Sequence, residues 1–134
     1  MTITDTIEAH QARCLPHLRT LRTIAGAEAG LALTRRAVLE IAQATRAVLA
    51  EAETAAGDAR DAVGIGAGGP GTAVLVRVRL NRLAAAAEDV IAAAGSGDCG
   101  QMRSHLHRFD ALTAAIWTVQ RAVYGAGGQG PSAI

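Results

Sequence analysis

The chain has 134 residues, half of them apolar, and its 13 basic and 12 acidic side chains leave a net charge of +1. That length fits one domain, the near-neutral balance supplies no basic face for nucleic acid, and no run of about 18 apolar residues exists to span a membrane. Every base is arginine, which excludes lysine chemistry such as a Schiff base or a P-loop phosphate contact.

Four helical segments follow in chain order. The first runs over 4–25, with Asp5 and Glu8 as a capping box. Ile3, Ile7, Cys14, Leu18, Leu21 and Ile24 share one face at helical spacing. Pro16 lacks the N–H that would reach the Ala12 carbonyl, so the spacing predicts a kink there. Alternatively a helix begins at Pro16 and residues 1–15 form a separate arm. Gly26 and Gly30 mark a tight connection to the second helix, 31–56, whose stripe is Leu31, Val38, Ile41, Val48 and Ala52. The two stripes are nearly in phase, so one long helix over 16–56 is the rival.

Residues 57–72 hold six glycines and Pro70, and read as a loop. Gly64-Ile65-Gly66-Ala67-Gly68-Gly69 matches the dinucleotide pattern G-x-G-x-x-G. No strand precedes it, so it carries no nucleotide function. The third helix, 72–94, begins on Val74-Leu75-Val76-Arg77-Val78-Arg79-Leu80. This run alternates like a strand but has no partner strand, and Leu83, Ala87, Val90, Ile91 and Ala94 continue it with helical spacing. The fourth helix, 100–124, is announced by Asp98 with Gln101 as a second capping box. Its core stripe is Met102, Leu106, Phe109, Leu112, Ile116, Val119 and Val123. The glycine-rich tail, 125–134, is expected to be disordered. The fold class is therefore all-α: a small antiparallel bundle of about four helices forming one domain over 1–124.

Much of the apolar content is alanine, and only three residues are aromatic. A thin core of this kind favours a homo-oligomer, most simply a dimer. The N-terminus lacks the basic and apolar regions of a signal peptide, so a cytoplasmic protein with reduced thiols is expected.

Two constellations are candidates for function. His10, Cys14 and His17 are spaced i, i+4, i+7 and share the apolar face of the first helix. In the fourth helix His105 sits in the Met102–Phe109–Leu112 stripe, whereas His107 points to solvent. Three imidazoles and a thiol form an acceptable set for zinc, and haem, copper or nickel use some of the same donors. His10 and His17 are about 10 Å apart along an ideal axis, so one ion needs a bent helix, a different topology or a second subunit. The alternative is that these are buried side chains with ordinary hydrogen-bond partners. Cys99 reads as an exposed, idle thiol, or as a nucleophile beside His105. It lies too far from Cys14 for a disulfide. The Glu-x-x-His pairs of a di-iron bundle are missing.

Phe109, Thr113, Trp117, Gln120 and Tyr124 make the last helix apolar over a wider arc than one core face requires. They are the candidate dimer interface or ligand-pocket wall, and the alternative is a helix buried on two sides within one bundle. Arg22-Thr23-Ile24-Ala25-Gly26, with Gly30-Leu31, faintly resembles the motif segment of histidine phosphotransfer domains. Arg22 stands where the phosphorylated histidine would be and Ala25 where the lysine would be, so the resemblance implies no phosphotransfer. Three functions are carried forward. The first is a binding or interaction module that self-associates through its last helix and takes a small ligand or partner protein. The second is a metal- or haem-binding bundle. The third is a small enzyme with a pocket at His17, His105 and Trp117.

Overall fold

Thr2 starts the first helix. Its hydroxyl accepts from the Asp5 amide at 3.1 Å, and the Asp5 carboxylate accepts from the Thr2 amide at 3.0 Å. This reciprocal pair is a capping box, set three residues earlier than the Asp5–Glu8 box expected from the sequence. The computed structural model describes residues 2–27, 33–63, 69–97 and 99–125. These form α1 (Ile3–Ala27), α2 (Arg35–Val63), α3 (Gly69–Ser96) and α4 (Cys99–Gln120), the last continued by a π turn at Arg121–Gly125.

Pro16 lies inside a continuous α1. The Ala12 carbonyl it leaves without an amide belongs to an exposed residue, where water can serve instead. The reading of residues 1–15 as a separate arm is thereby overturned. So is the single long helix over 16–56, because α1 ends at Ala27 and α2 begins at Arg35. Thr34 caps α2, its hydroxyl accepting from the Ala37 amide at 3.1 Å. The expected start of the second helix at Leu31 lies outside the described residues, as does Asp98 of the second expected capping box.

The segment 57–72 is mostly helical rather than loop. α2 continues through Gly57 to Val63, and α3 begins at Gly69. A glycine inside a helix costs only about 1 kcal/mol, and the buried Ala55, Ala56 and Ala59 around Gly57 outweigh it. Pro70 falls in the first turn of α3, where its missing N–H matters least. Residues 64–68 lie outside the described residues, as do residues 126–134 of the expected disordered tail. Gly97, with positive φ, follows the end of α3 at Ser96, and its amide bonds back to Ala94 at 3.1 Å.

The helices run up-down-up-down. α1 packs on α2, α3 packs on α2 and α4, and α1 closes on α4 over a smaller contact. The register is fixed by named pairs. His10 meets Glu51 and Cys14 meets Val48 across α1–α2, while Arg22 meets Asp110 and Gln11 meets Arg121 across α1–α4.

On α4 the buried residues are Cys99, Met102, Leu106, Phe109, Thr113, Ile116, Trp117 and Gln120. Without Trp117, that is an unbroken alternation of three and four, the seam of a coiled-coil-like bundle. The seam therefore passes through Thr113 and Gln120, and the expected Leu112 and Val119 are only half-buried beside it. A 3.6-residue period favoured the apolar neighbours, while the bundle selects the 3.5-residue period. Both polar seam residues reach backbone carbonyls: Thr113 Oγ1 donates to Phe109 at 2.8 Å and Gln120 Nε2 to Ala52 at 3.0 Å. Among the described residues, four buried side-chain polar atoms have no protein partner: Thr45 Oγ1, Arg79 Nε, Trp117 Nε1 and Gln120 Oε1.

Candidate functional site

The four residues proposed as metal ligands are separated by the fold. His10 is 4 % exposed and lies between two carboxylates, with Nδ1 at 2.6 Å from Glu51 and Nε2 at 2.8 Å from Asp58. Arg13 Nη2 also lies 2.7 Å from Nδ1, so both ring nitrogens are engaged by protein side chains rather than open to a metal. Arg13 completes the cluster, its Nε 2.5 Å from the same Glu51 oxygen. Burial raises the Glu51 pKa, but the hydrogen bonds from His10 and Arg13 outweigh it and hold the carboxyl below its ordinary value.

Cys14 is fully buried, and its thiol faces the Val48 carbonyl at 3.8 Å. Burial first, and the nearby Glu51 second, push its pKa up to about 12. A ligand or nucleophile must be a thiolate, so this cysteine is a core side chain. His17 is exposed rather than inward. The buried positions of α1 run Ile7, His10, Cys14, Leu18, Leu21. The step of four from Cys14 to Leu18 carries the seam past His17, next to Pro16.

His105 is half-buried on α4. The pairs Arg22–Asp110 and Gln11–Arg121 set it level with the C-terminal end of α1. At 1.5 Å per residue it is roughly 25 Å along the axis from His10. Among the described residues, no group of three or more His, Cys, Asp or Glu is placed to hold a metal ion. Cys99 is buried rather than exposed. His107 is exposed, as its position on the helix predicted.

The proposed interface residues are all interior. Phe109, Thr113, Trp117, Gln120 and Tyr124 are buried within a single chain. Of the two readings left open, the helix buried on two sides is the observed one. The wide apolar arc of the last helix is covered by α2, α3 and α1, and is not a surface for a second copy. The π turn is part of this arrangement, since its wider winding carries Tyr124 inward.

Among the concavities of the described residues, one lies between α1 and α4, a cleft of about 270 Å³. Leu18, Leu21, Ala25 and Leu106 supply its apolar surfaces, and Arg22, Arg103, His107 and Asp110 its polar ones. The heptad seam of α4 explains the apolar part. Leu106 is a seam residue, and Arg103 and His107 flank it three residues before and one after, on the same edge of the helix. The Arg22 guanidinium binds Asp110 in a fork, with Nη2 at 2.7 Å and 3.0 Å from the two oxygens and Nε at 3.3 Å. Asp110 is thereby neutralised. Arg103 has no ion-pair partner among the described residues.

The sequence predicts a pocket between these two helices, but at His17, His105 and Trp117. The structure forms it from Arg22, Arg103 and His107 instead. No basic cluster signalled it, because the three residues meet only when α1 and α4 pair. No family model, curated protein or solved structure matches the chain, so the reading of this cleft rests on its own side chains.

Proposed function

We propose that the chain is a binding module, and that its ligand is a small amphipathic anion held in the cleft between α1 and α4. The observation that carries this reading is Arg103: a guanidinium without a partner, at the rim of an apolar cleft whose one carboxylate is already bound by Arg22. Small-ligand sites pair mostly apolar walls with a few placed polar groups, and this cleft is at the small end of their range. An alkyl segment lies against Leu18, Leu21, Ala25 and Leu106, while a carboxylate head meets Arg103 and the His107 ring edge. The guanidinium suits a carboxylate because it offers two parallel donors.

Calorimetric titration with octanoate tests the reading, with acetate and inorganic phosphate as controls. Octanoate is expected to bind saturably, acetate and phosphate far more weakly, and Arg103→Glu to reduce octanoate affinity roughly tenfold or more, about 1.4 kcal/mol. Octanoate that fails to saturate, or that binds Arg103→Glu as well as the parent chain, overturns it.

A further inference from the structure

The face of α3 turned away from the bundle is unlike the other helix surfaces. Val74 is 59 % exposed, Val78 42 % and Leu75 41 %, three of the five large apolar side chains left in the open among the described residues. They begin a stripe of exposed residues, Val74, Val78, Asn81, Ala85, Glu88 and Ala92, that alternates in steps of four and three. This is the spacing of a helix-packing seam, and it lies opposite the seam that α3 already uses through Val76, Leu83, Ala87, Val90 and Ala94.

Charge along this face is divided by sign. Arg82 stands in the first half, and Glu88 and Asp89 stand in the second, all exposed and none ion-paired among the described residues. Arg82 and Glu88 are six residues apart, so they cannot pair along their own helix.

We propose that this face binds a second copy of the chain, with the two α3 helices antiparallel about a two-fold axis at Ala85. In a two-fold contact each residue meets a partner at the mirrored position. With Ala85 on the axis, Arg82 of each copy meets Glu88 of the other, with Asp89 one position beyond. Val78 meets Ala92, and Val74 and Leu75 reach the segment beside Gly95. Every residue brought into contact by this register is one that the single chain leaves exposed, and each apolar residue meets a small or apolar partner. Alanine on the axis lets the two backbones approach closely. A shift of the axis to residue 83 would set the two Arg82 side chains near each other, so charge selects the register. The surface is distinct from the α1–α4 cleft and does not depend on how that cleft is read.

Sedimentation equilibrium of the full chain over a range of concentrations and salt tests the proposal. The expected result is a reversible dimer with twice the 13.7 kDa monomer mass, weakened by salt. Val78→Glu and Arg82→Glu should each give monomer with unchanged helical circular dichroism, since both positions are exposed. Arg82→Glu combined with Glu88→Arg should restore the dimer. Oxidised Ala85→Cys should cross-link two copies, whereas Ala114→Cys on the exposed side of α4 should not. A chain that stays monomeric to about 1 mM at low salt overturns the proposal. So does a dimer that survives Val78→Glu, or one that cross-links equally through Ala114→Cys.

Discussion

Gln120 Nε2 donates to the Ala52 carbonyl at 3.0 Å across the middle of the bundle, tying α4 to α2 through a side chain that is fully buried. The amide is only half satisfied, because Gln120 Oε1 has no protein partner. An unpaired buried acceptor costs about 1–3 kcal/mol, comparable to what the bond on the other end contributes. Gln120→Met, similar in volume and without the orphan oxygen, should therefore change stability by less than about 1 kcal/mol. Gln120→Ala should lose roughly 2 kcal/mol or more through the cavity it leaves. Urea midpoints of the two variants check this. If the methionine variant is as unstable as the alanine one, the bond to Ala52 outweighs the orphan oxygen.

Trp117 supplies a related test. It is 1 % exposed, and its Nε1 has no partner. Trp117→Ala is expected to cost roughly 3–5 kcal/mol, the range for a buried aromatic. Trp117→Phe should cost much less than that, because it keeps a ring and removes the unpaired N–H. The parent emission, from the chain's single tryptophan, should lie at short wavelength and move to the red as helicity is lost. An indole that is quenched by acrylamide in the folded chain would contradict its burial.

Acid stability should follow Glu51. Its folded-state pKa is below the ordinary value of 4.5, because the His10 and Arg13 hydrogen bonds overcome the opposing burial. The unfolded chain therefore takes up this proton at higher pH than the folded one. The stabilisation is complete above about pH 4.5 and disappears as pH falls through the lowered value. Hydrogen bonds to a charged group contribute roughly 1.5–3 kcal/mol. Glu51→Gln should melt below the parent chain at pH 7, and the gap should narrow toward pH 3. Parallel melting curves across that range would rule the cluster out as the source.

Cys14 should be chemically silent until the chain opens. Its thiol is buried against the Val48 carbonyl, with its pKa pushed up to about 12. At pH 8 almost no thiolate forms, and reagents cannot reach the sulfur. Alkylation of the Cys14 peptide, followed by mass spectrometry, should be slow in buffer and rise along the urea unfolding curve. Rapid labelling of the folded chain would show that α1 separates from α2 without global unfolding.

The helices themselves were legible because apolar periodicity is a property of neighbours along the chain. The boundaries were less so. Thr2 and Thr34 cap α1 and α2, but Asp5 with Glu8 and the glycines before Leu31 gave competing signals. Gly57 and Gly69 read as breakers, although burial of the alanines around Gly57 holds α2 in helix. The site was least legible. His10, Cys14 and His17 share a face only if the seam keeps one spacing, and the step at Pro16 changes it. Trp117 and Tyr124 read equally well as interface or core, since periodicity shows that an arc is apolar but not how many helices cover it. Arg22, Arg103 and His107 are brought together only by the α1–α4 register, which no local pattern encodes.

That register gives the sharpest test of the cleft. Asp110 is the one carboxylate among its lining residues, and it binds Arg22 in a fork. The pair is exposed enough that its contribution to stability is only about 0.2–1 kcal/mol, so Asp110→Asn should fold normally. Removing that charge leaves Arg22 and Arg103 facing the ligand without competition. If the cleft receives an anion, octanoate affinity should rise severalfold in Asp110→Asn, and the increase should shrink at high salt. If Asp110 instead binds a cationic ligand, the same substitution should abolish binding of hexylamine, and octanoate should not bind at all. The two charge signs predict opposite changes from one substitution, so a single pair of titrations decides the polarity of the site.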